Sequence, residues 1–466
     1  MALFVFHNDL RLIDNTALDL AMANEEAIYP VFIFTPSQID KNKYKSEFSV
    51  KFMCESLVEL DSELRKKGSK LHIFHGPTDK VVKSLVKTWK IKTVYSNCSY
   101  SPFAINRDTK ISKIPNIQFL LCEDMLLLPI GMTSKNPNQL DPDNLITLLN
   151  ERSTKVYKKY TPYYNSARKI NVDKPTKSTI RKLKKSNKSM DIKSIKKYYS
   201  TNEDKDNHLP GGRLAGLKLL RGFNKSNYGQ IRNDLSKSTS YLSAYIKFGC
   251  VSIREVYKAC KSNSEFVKQL YWRDFYYNIL WKYPYVVEGP NRNLQEKYKK
   301  IKWLNKPDSL FKKWCHGETG YPVVDAGMRQ LNESGYMHNR ARLITAGFLV
   351  KVLGWNWEDG EHYFATKLRD YDISANNGNW QFVAGTGVDI QPYWRGFNPW
   401  LQSAKFDKKA TYIKKWVPEL KDVPPAHIHK WYKYCDQYDG YFEPMIDYDE
   451  YSKKTKKMYT KYIFKK

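Results

Sequence analysis

Ala2-Leu3-Phe4-Val5-Phe6 is five apolar residues in a row, the length of a strand buried on both faces. Asn15-Thr16-Ala17-Leu18-Asp19 follows, with Thr16 and Asp19 at capping-box spacing and Leu18, Ala21 and Met22 on one side of the helix they begin. Residues 27–34 return to a β-branched, aromatic strand, and the alternation then repeats. A helical pattern covers residues 49–64, a strand 71–74, a helix 81–89, and strands 91–95 and 117–122. Strands alternating with helices of this length predict βαβ units and a parallel, five-stranded, Rossmann-like sheet. The fingerprint G-x-G-x-x-G is missing after the first strand, which argues against an ordinary NAD site there.

Outward from this α/β domain (residues 1–130) the pattern fades. Residues 131–207 read as a long basic interdomain linker; within them, 151–200 carry sixteen Lys or Arg against three acids. Such a stretch buries little apolar surface and is expected to wrap over the protein or to move. From residue 208 to 466 the pattern is helical. Leu214, Leu217 and Leu220 share a face, residues 265–281 run without Pro or Gly, and residues 340–353 are strongly apolar. The expectation is an α/β domain, a basic connector and an all-α domain.

The chain has 78 Lys and Arg against 48 Asp and Glu, a formal net charge of +30. A field of that size draws in polyanions, and nucleic acid is the first partner it suggests. The 34 Tyr and 12 Trp suit base or ligand stacking. Seven scattered Cys form no C-x-x-C pair, so neither a disulfide framework nor a zinc or iron–sulfur site is expected, and a reducing cytoplasm or nucleus fits best. The opening residues lack the regions of a signal peptide, and the longest apolar run, residues 125–132, is too short to span a bilayer. A soluble protein with no membrane partner is expected. G-x-S-x-G, the P-loop and H-E-x-x-H are absent, and the Asp370-Tyr371-Asp372 segment fails as a calcium loop at Ala375 and Gln381, so no metal is expected.

The helical half carries an ordered set of motifs. They are Thr239-Ser240-Tyr241-Leu242-Ser243; Leu270-Tyr271-Trp272-Arg273-Asp274; Trp314 with Gly317-Glu318-Thr319-Gly320-Tyr321-Pro322; Asp325-Ala326-Gly327-Met328-Arg329; Met337-His338-Asn339-Arg340-Ala341-Arg342; Trp355-Asn356-Trp357; and Arg369-Asp370-Tyr371-Asp372-Ile373-Ser374-Ala375-Asn376-Asn377-Gly378-Asn379-Trp380-Gln381. Their order and wording resemble the FAD-binding domain of the cryptochrome/photolyase family, nearest the class I, bacterial-type members, over about residues 211–420. The resemblance implies a light-driven enzyme that binds FAD and repairs ultraviolet-damaged DNA as a monomer.

By the same resemblance Tyr228, Thr239, Ser240, Tyr241, Leu242, Ser243 and Arg273 bind the cofactor, the hydroxyls near the helix start suiting a pyrophosphate. Arg342 pairs with Asp370 beside the isoalloxazine, Asp372 accepts from it, and Asn376 lies near its reactive nitrogen. Trp314, Trp357 and Trp380 match the electron-relay triad. Gln269, Trp272, Asn339, Leu343 and Phe382 match lesion-facing positions, Trp272 being the indole on which a flipped base stacks. Enzymes for the (6-4) photoproduct place two His where this chain has Asn339 and Leu343, so the pattern favours cyclobutane dimers. Gln269 in place of Glu and Phe382 in place of Trp depart from the class I pattern. Phe103 and Ala104 stand where folate-binding members carry Asn-Glu, which argues against a folate antenna and leaves that chromophore open. A (6-4) enzyme and a blue-light photoreceptor cryptochrome, including the DASH type, are the alternatives.

Overall fold

The computed structural model describes residues 1–40, 42–133, 142–199, 209–223, 227–389 and 396–464. These fall into two compact units, one made of the described residues of Met1–Thr201, His208–Lys225 and Ser240–Pro284, the other of those of Ser226–Thr239 and Tyr285–Lys466. The 207/208 boundary expected from sequence lies outside the described residues.

The first unit is built on β1 (Ala2–Phe6), β2 (Ile28–Phe34), β3 (His72–His75), β4 (Thr93–Asn97) and β5 (Gln118–Cys122). They pair in parallel in the order β3-β2-β1-β4-β5. Ala2 sits opposite Ile28 on one side and Thr93 on the other, so β1 is central and its five residues are all buried, as an unbroken apolar run requires. Helices α1 (Thr16–Asn24), α2 (Glu47–Lys66), α3 (Thr78–Trp89) and α4 (Pro102–Ser112) connect the strands. The order reverses at β1, which opens a crevice at the carboxyl ends of β1 and β4, where open α/β sheets hold ligands.

Thr16 does not cap α1. Asn15 does, its side chain accepting from Leu18 N, while Thr16 gives its Oγ1 to Asp124 at 2.8 Å. Asp124 is buried, which opposes its charge, but Arg11 and Arg254 hold its carboxyl below the usual range. A buried carboxylate takes every nearby donor, and this demand outweighs the local capping box.

Within the basic segment, α5 (Tyr160–Ala167) is helical, and the stretch beyond it lies along the sheet. Leu183 bridges to Ile28, Met190 to Ile73, Ile195 is fully buried, and Tyr198 stacks on Phe34 at 4.4 Å. A few apolar residues thus pin a run whose Lys side chains face water. The same unit continues with α6 (Ser243–Lys247), α7 (Ile253–Cys260) and α8 (Ser264–Lys282). Ser252 and Glu255 form the capping box of α7.

The second unit is helical. Its core is lined by α9 (Asp308–His316), α10 (Pro322–Ser334), α11 (Asn339–Gly347), α12 (Trp357–Lys367) and α13 (Ile373–Ala384). The strongly apolar stretch 340–353 is α11 followed by a π-turn, Phe348–Val352. Gly360 lets α12 close on α13, because a Cβ there would lie 2.3 Å from Trp380 Cη2.

Candidate active site

In the second unit the Asx-rich loop and two helix starts gather the motif residues. Asp372 caps α13, its Oδ1 accepting from Ser374 N at 3.0 Å and Ala375 N at 2.9 Å. Arg342, one turn into α11, donates to Met337 O at 2.9 Å and to both oxygens of Asp370 at 2.9 and 3.1 Å. Asp370 is almost fully buried and its partner is partly exposed, so the pair screens one buried charge.

Asn376 stands one turn into α13. Its Nδ2 donates to Glu361 O at 3.0 Å and Glu361 Oε1 at 2.9 Å, both of which can only accept. The amide is therefore oriented, and its Oδ1 is left to accept from elsewhere. Glu361 is 1 % exposed, and its other oxygen takes Arg292 at 2.7 Å. Glu361 was not singled out from the sequence. The signal available there was a carboxylate between Gly360 and Phe364 on the buried face of a helix.

Among the buried polar atoms with no protein partner among the described residues are His338 Nε2 and Ser374 Oγ. His338 Nδ1 accepts from Arg340 N at 3.1 Å, so the neutral ring carries its proton on Nε2. Burial, then the charges of Arg340 and Arg342, push this histidine down to about 4, keeping it neutral at working pH. Natively buried donors are rarely left unmet. A neutral donor, a hydroxyl, an Arg–Asp pair and an oriented amide acceptor make a set that fits a large polar heteroaromatic cofactor. Thr239 Oγ1 meets Tyr336 Oη at 3.2 Å in this unit, and Tyr228 lies in a single helical turn with Arg232 5.7 Å over its ring.

The expected pyrophosphate turn differs in detail. Thr239 and Ser240 do not start a helix; the five-residue α6 begins at Ser243, with Leu242 at its cap position. Ser240 Oγ accepts from Leu242 N at 3.4 Å, and Tyr241 has φ +52°, a left-handed backbone that costs a non-glycine residue about 1–2 kcal/mol.

On α8, Gln269 and Trp272 lie three residues apart and share a face. Gln269 Nε2 donates back to Glu265 O at 3.0 Å, and Arg273 is engaged by Met125 O at 2.7 Å and by the ring of Tyr277. On α11, Asn339 is exposed, whereas Leu343 is partly buried against the core, as is Phe382 on α13.

Trp314, Trp357 and Trp380 are all buried. Trp314 and Trp380 meet edge to face at 6.2 Å, with Phe364 4.9 Å from Trp380. Trp357 donates to Asn293 Oδ1 at 2.8 Å and lies 5.2 Å below the Arg292 guanidinium. Three buried indoles give a relay no end at the surface. Trp303, missed from the sequence, is partly buried and packs on the same core.

With this geometry in hand, family models match both halves of the chain: "DNA photolyase" over residues 2–179 and "FAD binding domain of DNA photolyase" over residues 266–461. A deoxyribodipyrimidine photo-lyase of Buchnera aphidicola is 34 % identical, with 97 % of this chain and 94 % of the relative covered. The chain belongs to the photolyase/cryptochrome family. A photolyase of Sulfolobus tokodaii, solved with two FAD molecules, is 40 % identical with a TM-score of 0.87 over 99 % of both chains. A class III photolyase of Agrobacterium tumefaciens is 28 % identical with a TM-score of 0.87, covering 100 % of this chain and 98 % of that one. The protein is therefore a light-driven DNA repair enzyme, a photo-lyase that binds FAD and ultraviolet-damaged DNA. The parallel sheet and helical FAD-binding region expected from sequence are both present. No helix among the described residues is long and apolar enough to cross a membrane.

Proposed function

We propose that this photolyase is a class I enzyme that repairs cyclobutane pyrimidine dimers in duplex DNA as a monomer. The observation that carries the lesion choice is the start of α11, where exposed Asn339 and core-packed Leu343 stand in place of the histidine pair that (6-4) chemistry uses for proton transfer. Trp272, with Gln269 one turn before it on the same helix, stacks the flipped base; Asn339 and Phe382 of the second unit are assigned to the lesion by their motifs, and the +30 field engages the phosphates. Thr239, Ser240 and Ser243 offer hydroxyls to the pyrophosphate, and Tyr228 is assigned to the cofactor as well. Arg342, Asp370, Asp372 and Asn376 hold the isoalloxazine, His338 giving its neutral N–H. When bound, reduced FAD supplies the light-released electron that splits the dimer. The protein's part is to orient the groups around it. Asn376 presents a carbonyl, which favours a protonated ring nitrogen.

The photoreduced protein, lit on duplexes carrying one defined lesion each, is expected to remove cyclobutane dimers and leave (6-4) photoproducts, with no change in the dark. Turnover of (6-4) products alone would overturn the reading, and a flavin-loaded protein repairing neither lesion would instead be a photoreceptor. Seven reduced cysteines, six of them buried, support a cytoplasmic or nuclear setting.

The antenna is proposed to be a second FAD, held in the β1/β4 crevice. His7 follows β1 there, with its Nε2 buried and unmet, and burial together with Arg107 keeps its ring neutral. Phe103 at the start of α4 offers an exposed ring. Flavin released from the purified protein is expected at about two per chain after FAD reconstitution; a value near one rejects this antenna.

A further inference from the structure

We propose that Tyr160, in the basic connector, is a positioning residue for lesion recognition: it covers one face of Trp272 and holds that indole so that only its other face stacks the flipped pyrimidine. The proposal rests on the reading of Trp272 as the stacking residue.

The two rings are 3.7 Å apart between centroids and 7° from parallel. Tyr160 is buried, and its Oη donates to Lys268 O at 2.7 Å, one turn before Trp272 on α8. The ring is thus tied to the same helix whose side chain it supports. Behind it Tyr164, one turn on along α5, stacks at 5.8 Å and 17°. Tyr163 of the same helix packs on Phe275 at 5.5 Å. Tyrosines at 160, 163 and 164 lie at i, i+3 and i+4, so α5 presents a wall of rings along one side. The other rings around Trp272 are not parallel to it: Phe275 meets it at 87° and Tyr276 at 36°. Together they block rotation of the indole about its side-chain bonds.

A stacking platform recognises a base through a plane held ready for it. An indole free to turn would lose that freedom on binding, whereas one already stacked on a tethered ring has lost it on folding. Covering one face also limits Trp272 to a single stacking partner. Trp272 itself remains partly exposed. A segment that reads as a solvated charged connector thereby acquires a role in damage selectivity.

The test uses the FAD-loaded protein and two duplexes, identical except that one carries a cyclobutane dimer. Tyr160→Leu removes ring and hydroxyl and is expected to weaken binding to the damaged duplex about five- to tenfold, at unchanged affinity for the undamaged one. Tyr160→Phe keeps the ring and is expected to stay within about twofold of the parent. Equal loss on both duplexes, or no loss on either, overturns the proposal. Trp272→Ala is measured alongside. If it abolishes the preference and Tyr160→Leu does not, the positioning role fails alone; if neither variant changes the preference, the reading of Trp272 fails with it. Should Tyr160→Leu not yield flavin-loaded protein, Tyr160→His keeps a smaller parallel ring. About threefold weaker damaged-duplex binding is expected from it, and an unchanged preference overturns the proposal.

Discussion

Glu361→Gln is expected to release its flavin at a temperature about 5 °C or more below the parent and to photoreduce at least tenfold more slowly. Glu361 serves two donors at once: Oε2 takes Arg292 and Oε1 takes Asn376. A carboxylate accepts on both oxygens, whereas a carboxamide has one acceptor and one donor group, so in the variant one of the two neighbours faces an N–H. The charged neighbour claims the oxygen, which turns the new NH2 toward Asn376. The amide of Asn376 must then flip, losing its bond to Glu361 O and pointing its own NH2 where its carbonyl stood. The cofactor meets a donor in place of an acceptor. Arg292, only 7 % exposed, keeps its charge with only Glu358, 3.5 Å away, to balance it. That guanidinium also lies over the Trp357 ring, where positive charge balanced only by Glu358, 3.5 Å away, opposes removal of an electron from the indole. Flavin fluorescence on heating and absorbance during blue illumination measure the two effects. An unchanged rate of photoreduction would show that Asn376 does not need Glu361.

The sheet was legible because buried parallel strands are unbroken apolar runs, and β1 and β2 need no tertiary information to be found. The observed bounds of β3 and β4 lie one or two residues further along than the apolar runs indicate, because pairing register with β2 and β1 sets them. Thr16 and Asp124 show the opposite limit: a capping box is a local pattern, and a carboxylate more than a hundred residues away outbid it. The same holds for the active site. Arg342 and Asp370 were named from their motifs and do meet. Glu361, Tyr160 and Trp303 were not, because each matters through a partner remote in sequence. Tyr160 is the extreme case, since charge density alone marks residues 151–200 as solvated connector. A lysine-rich run hides its anchors, a few rings and aliphatic side chains that only folding places against the sheet and α8.

Trp380→Phe is expected to lower the rate of flavin photoreduction by tenfold or more, while enzyme reduced chemically beforehand still repairs its lesion. Trp380 is 3 % exposed, so its route to an external reductant must run through other side chains. Phenylalanine keeps the packing against Phe364 and leaves room beside Gly360, but it gives up an electron far less readily than indole. Loss of part of a buried ring in a dense core costs about 1–3 kcal/mol, which a core of this size withstands. The effect is therefore expected on photoreduction and not on the fold. Trp314 touches Trp380 at 6.2 Å, yet Trp314 is fully buried, as is Trp357, so neither can meet a soluble reductant. We propose Trp303 as the solvent end: it is partly exposed, packs on this core, and adjoins Leu304, whose backbone bridges to Trp355 beside Trp357. Trp303→Phe is then expected to slow photoreduction by an external thiol about as strongly as Trp380→Phe, whereas Trp314→Phe changes it little if Trp357 carries the middle step. The reverse order of effects would place the route through Trp314 and require a surface partner beyond it, with Phe311, stacked on Trp314 at 5.7 Å, standing in the way as a ring that does not oxidise.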